Sequence, residues 1–86
     1  MKKTFRIGEY AYGGVIKIQT NFSGTQVEAG CYDWDTGEVL QGFYTTTDSR
    51  RELYTLLNDW TSSYYADLIL QWVDKNAKLE KEGWLI

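Results

Sequence analysis

The sequence predicts an α+β fold: a four-stranded antiparallel meander (ββββ) followed by two helices packed on one face of the sheet. Three observations carry that expectation. Up to residue 46 side chains alternate with the period of two that strands impose, from residue 48 apolar residues recur at helical spacing, and the breaks between alternating runs are short and rich in Gly, Asn and Asp. Parallel pairing would need crossovers of about a dozen residues, which these breaks do not provide. No proline-rich or low-complexity linker divides the 86 residues, so one domain is expected, with the sheet in 1–46, the helices in 48–82 and an apolar tail at 83–86.

The first strand is read through Tyr10, with Phe5 and Ile7 on one face and Arg6, Gly8 and Tyr10 on the other. Tyr12-Gly13-Gly14 offers the positive φ angles that a tight reversal needs. Val15 to Thr20 is a β-branched second strand, and Asn21-Phe22-Ser23-Gly24 is the next turn. The third strand, Thr25 to Trp34, alternates most cleanly. Val27, Ala29 and Cys31 face the core, while Gln26, Glu28, Gly30, Tyr32 and Trp34 point away. Asp35-Thr36-Gly37 suits a hairpin loop with Gly37 left-handed, and Glu38 to Thr46 is the fourth strand.

Ser49 with Glu52 matches a capping box, with Asp48 as the alternative cap. Leu53, Leu56, Leu57 and Trp60 form one helical stripe; Tyr65, Leu68, Ile69, Trp72 and Leu79 form a second. Between them Thr61-Ser62-Ser63 supplies fresh caps, and leaves open whether the helix breaks there. Lys75, Lys78 and Lys81 suit a helix C-terminus, Gly83 its stop, and Trp84-Leu85-Ile86 the tail.

Absences restrict the chemistry. Without a single His the chain lacks the usual general base near neutral pH, Ser-His-Asp triads and His-containing zinc sites. A lone Cys31 forms no intrachain disulfide, fits the reducing cytosol, and alternates with Val27 and Ala29 as a core residue rather than a nucleophile. No apolar run is long enough to span a bilayer, and the basic start meets charge again at Arg6 and Glu9 before a signal-peptide apolar region forms. The expectation is therefore a cytoplasmic protein that is not an enzyme and carries no cofactor, metal or membrane contact. Gly13-Gly14 lies between strands, so it lacks the strand-to-helix setting of a phosphate loop. Gly8, Gly30 and Gly42 fall within the strand readings and mark bulges or places where Tyr10, Tyr32, Trp34 or Tyr44 packs over bare backbone.

Aromatic residues make up 16% of the chain, enough to fill a small core and leave a surplus. Tyr10, Tyr32 and Trp34 fall opposite the core set, interleaved with Gln26, Glu28 and Lys17 or Gln19, and an exposed aromatic patch on a small protein points to a partner. Beside them lies the acidic hairpin of Asp33, Asp35 and Glu38. The candidate partner-binding residues are thus Tyr10, Glu28, Tyr32, Asp33, Trp34, Asp35 and Glu38, and the expected function is a small acidic, non-catalytic protein-binding domain. A homo-oligomeric structural module, with the aromatic face and Trp84-Leu85-Ile86 buried between copies, is the alternative. A carboxylate-based enzyme or metal binder on Asp33, Asp35 and Glu38 ranks third, because no loop of calcium-binding length surrounds them. A net charge of −3, with Lys2-Lys3 and Arg50-Arg51 as the basic doublets, argues against direct nucleic-acid binding.

In size, acidity, missing catalytic residues and α+β layout, the chain resembles the small inhibitors carried by phages and mobile elements, anti-CRISPR proteins among them. The resemblance is one of type, so it carries over no residues. It implies an inhibitor that occupies the surface of another protein, such as a nucleic-acid-handling enzyme. Glu28, Asp33, Asp35 and Glu38, with the helix acids Asp59, Asp67 and Asp74, would then sit where the nucleic acid belongs.

Overall fold

A computed structural model describes residues 1–21 and 24–77. Strands β1 (Lys2–Arg6), β2 (Gly14–Thr20), β3 (Val27–Asp33) and β4 (Val39–Thr47) precede helices α1 (Arg50–Trp60) and α2 (Ser63–Asn76). The strands form one antiparallel sheet in the order β1-β2-β3-β4, the meander that short turns dictate. Register sorts the side chains into two faces. Phe5, Ile16 and Cys31 share one row of the inner face, Ile18, Ala29 and Thr45 a second, and Thr20, Val27 and Thr47 a third.

The inner face meets both helices in one core, where Ile16, Ile18, Val27, Ala29 and Cys31 pack with Leu53, Leu57 and Trp60 of α1 and Ala66, Ile69, Leu70 and Val73 of α2. Each large aliphatic side chain fully buried there contributes about 1.5–3 kcal/mol, the main return against chain entropy. Around this core Phe5 meets Trp72 edge-to-face with centroids 6.0 Å apart. Ser49 caps α1, its hydroxyl accepting from the Glu52 N–H at 3.2 Å. Ser62 caps α2 by accepting from the Tyr65 N–H at 3.4 Å, and Thr61, at φ −138° and ψ −97°, lies outside helical geometry. The helix does break at 61–62. A bidentate Arg50–Asp74 ion pair, at 2.9 Å for its closest atoms, ties the start of α1 to the end of α2.

Several expectations need correction. The first strand ends at Arg6 rather than continuing through Tyr10, because Ile7 turns helical and Gly8 takes φ +77°, opening a 3₁₀ turn over Gly8–Tyr10. The third strand is shorter than read, and Gln26 lies in the preceding turn, where its side-chain oxygen accepts from Asn21 Nδ2. On α2 the buried stripe is displaced by one position: Ala66, Ile69, Leu70 and Val73 are buried, Trp72 is half-buried, and Leu68 is exposed. The sequence reading favoured the bulky aromatics over Ala66 and Val73, which are the fully buried positions. Lys78, Leu79, Lys81, Gly83 and the tail Trp84-Leu85-Ile86 lie outside the described residues.

Candidate functional site

The outer face of the sheet is not covered by either described helix. Its rows follow from register: Lys2, Gln19, Glu28 and Thr46; then Thr4, Lys17, Gly30 and Tyr44; then Arg6, Val15, Tyr32 and Val39. Tyr44 and Thr46 are even-numbered whereas Val39 is odd, so the alternation of β4 reverses across Gly42, whose φ of +87° makes the irregularity opposite Gly30 and Tyr32. That reversal aims Tyr44 and Val39 the same way.

Glycine places the aromatics. A Cβ on Gly30 would lie 2.9 Å from Tyr44 Cδ2 and 3.3 Å from Tyr32 Cε1, so the two rings close over bare backbone, as the glycine within the strand led us to expect. The Tyr44 hydroxyl donates to the Glu28 carboxylate across the strand pair. That bond, and then burial, raises the phenol above its ordinary pKa. Lys17 Nζ stands 4.4 Å from the centroid of the Tyr32 ring, within cation–π range. Between these groups lies a depression of about 160 Å³, lined among others by Lys2, Lys17, Gln19, Glu28, Tyr32 and Tyr44.

Trp34 extends the same face. Its N–H donates to the Gly13 carbonyl at 2.8 Å, which carries the β2–β3 pairing one step beyond the strands. The indole passes over Gly14, where a Cβ would come within 3.3 Å of Cε3, and Arg6 stacks on the ring at 5.2 Å. Trp34 stays 49% exposed and Tyr44 48% exposed, while Val15 beneath this face is only 3% exposed. Aromatic cover on this side therefore hides a little apolar surface and leaves much of each ring open.

The acidic hairpin is built for its own turn. Asp33 Oδ1 accepts from the Asp35 N–H at 2.8 Å and the Thr36 N–H at 2.9 Å, and these bonds hold the carboxyl below its ordinary pKa. Gly37, at φ +75°, takes the left-handed position expected of it. Asp35 and Glu38 are exposed beside Asp33, but among the described residues no group of three or more His, Cys, Asp or Glu converges as metal ligands do. Cys31 lies on the inner face, fully buried, with its thiol pushed up to about 12 by burial.

The structure thus brings Glu28, Tyr32 and Trp34 together on one face, with Asp33, Asp35 and Glu38 at its hairpin end. It separates Tyr10 from them. Tyr10 rides the 3₁₀ turn to the helix layer, where its ring lies 5.7 Å from that of Tyr65 and its carbonyl accepts from the Thr61 hydroxyl. There it borders a shallow recess with Glu9, Tyr12, Asp59 and Trp60. Reading the site from sequence missed Tyr44, Lys2 and Arg6. Gly30 was the available signal for Tyr44, since an interior strand glycine asks for a ring to cover it.

With the geometry defined, comparisons with protein-family models, curated proteins and solved structures found no match to this chain.

Proposed function

We propose that this chain is a non-catalytic protein-binding domain that occupies a partner's surface with the outer face of its sheet. In its narrower form the proposal is an inhibitor of the type carried by phages and mobile elements. The observation that supports it is the outer face itself: Tyr32, Trp34 and Tyr44 share a sheet face that neither described helix covers, and Trp34 and Tyr44 are each about half exposed. Rigid tyrosine and tryptophan side chains bury large areas on binding at low entropic cost. The rings are held by glycines and cross-strand partners, so they are positioned before any partner arrives.

Catalysis has little support. The chain contains no His, and Cys31 is a buried neutral thiol. The sheet edges also favour a face over an edge as the contact: β1 carries Lys2, Lys3 and Arg6, and β4 is broken by Gly42, both features that discourage strand addition.

Affinity capture from the source cell, with immobilised wild type, Trp34→Ala and Tyr44→Ala, tests the reading. Capture of one protein by wild type and its loss with both folded variants is the expected result. A loss exceeding about 1 kcal/mol in the measured affinity would mark each ring as a hot spot. Equal capture by all three proteins would overturn the outer face as the site. A dimer of this chain that Trp34→Ala dissolves would replace the foreign partner with a second copy.

A further inference from the structure

Away from its acidic hairpin end, the outer face is cationic on an acidic protein. The chain has net charge −3, yet the outer rows place Lys2, Arg6 and Lys17 against the single carboxylate of Glu28. That carboxylate is engaged by the Tyr44 hydroxyl. Lys17 and Arg6 lie over the rings of Tyr32 and Trp34, and among the described residues neither they nor Lys2 form an ion pair; Arg50 and Asp74 do. Two cations, Lys2 and Lys17, therefore line a depression walled by tyrosine, and a third, Arg6, lies over Trp34, none of them ion-paired among the described residues.

Resting on the docking reading above, we propose that this face takes an acidic segment of a protein partner, with carboxylates seated at Lys2 and Lys17 and apolar side chains against Tyr32, Tyr44 and Trp34. Electrostatic complementarity selects and orients such a segment, while the rings supply contact area. A single-stranded nucleic acid fits less well. Its backbone carries a negative charge at every nucleotide and meets a chain of net charge −3, whereas a peptide can space its carboxylates to reach Lys2 and Lys17 and keep them away from Glu28.

The test uses the full chain labelled with ¹⁵N and three probes: a short peptide alternating glutamate with leucine, the same peptide with lysine for glutamate, and an oligothymidine of similar length. The glutamate peptide should shift amide resonances of Lys17, Glu28, Tyr32 and Tyr44, and bind less tightly as salt rises. Lys17→Glu should weaken it by about tenfold or more, with Lys17→Gln falling between. Absence of binding, an equal response to the lysine peptide, or an affinity indifferent to Lys17→Glu would overturn the inference. A stronger shift of the same resonances by oligothymidine would also overturn it, in favour of a nucleic-acid surface. Concentration-dependent shifts without any probe would overturn it in favour of a second copy. The two readings fail separately: cellular capture lost with Trp34→Ala but unchanged by Lys17→Glu leaves the docking face standing and removes its acidic partner.

Discussion

Gly13 shows how much one residue can demand of its place. Its φ is +72°, and a Cβ there would lie 2.5 Å from the Tyr32 carbonyl oxygen and 2.8 Å from Leu40 Cδ1. Gly37 has a similar φ of +75°, but nothing lies within 4 Å of where its Cβ would be. Gly37→Ala should therefore cost about 1 kcal/mol for backbone strain alone, and Gly13→Ala about 3 kcal/mol or more, because backbone cannot step aside. Urea unfolding of the two variants makes the comparison, and equal losses would mean that the chain relaxes freely around residue 13. Cys31 supports a second prediction, on pH. Burial pushes its folded thiol up to about 12 from the ordinary value of about 9, so between those values the unfolded chain releases a proton that the folded chain keeps. Stability present below about pH 9 should thus fall as pH rises towards 12, and Cys31→Ala should flatten that fall while lowering stability at neutral pH. Chemical denaturation across the alkaline range measures both, and an unchanged slope in the variant would place the thiol in contact with solvent. The inward direction of Cys31 was legible from its alternation with Val27 and Ala29. The clash at Gly13 was not, since it depends on β3 passing close behind the turn.

At the scale of elements, local chemistry was read more reliably than orientation. The capping serine of α1, the hairpin glycine at position 37 and the order of strands and helices all follow from short-range rules, and each was legible. Two features were not. Gly8, read as strand interior, ends β1 in a 3₁₀ turn, and Gly42, where a bulge was among the expectations, also reverses the facing of β4. A glycine's free φ is visible in the sequence, but the use made of it is set by what pairs alongside. The stripe of α2 was likewise read one position away, because the spacing of large side chains pointed to Tyr65 and Trp72 while the buried positions are the smaller Ala66 and Val73. The displaced stripe sets the two helix tryptophans apart. Trp60, only 4% exposed and packed with Phe43 and the core, should cost about 3 kcal/mol or more on truncation to alanine. Trp72→Ala should cost less, since half-buried Trp72 loses chiefly its contacts with Phe5 and Lys3 at the rim. Thermal or urea unfolding ranks the pair, and a larger loss at Trp72 would restore the stripe read from sequence.

Across the whole molecule, the two sheet faces divide the packed core from the open aromatic surface proposed for docking, and the division was only partly legible. Period-two alternation assigned Tyr32, Trp34 and Glu28 to the outer face correctly. It also put Arg6 on the face of Tyr10 and offered Lys17 beside the outer aromatics, but it could not see that β1 would stop before Tyr10, nor that Lys2 would join these cations on one side of a chain whose overall balance is acidic. Net charge averages over both faces, and only register separates them. The division is testable through Trp34. Its indole covers Gly14 near the buried Val15 and carries Arg6, so it contributes to the fold, but half of it faces solvent and neither described helix packs on it. Trp34→Ala should therefore lower unfolding free energy by about 1 kcal/mol, well below the cost of Trp60→Ala, and leave the inner core intact. Native-state hydrogen exchange offers the direct measurement. Amides of Ile16, Ile18, Ala29 and Cys31 should keep nearly wild-type protection in Trp34→Ala and lose it in Trp60→Ala, because helix packing, rather than the outer rings, secures the central strands. Global loss of protection in Trp34→Ala would show that the outer aromatics belong to the core. They would then have no surplus to spend on a partner, and the case for a docking face would fall with that result.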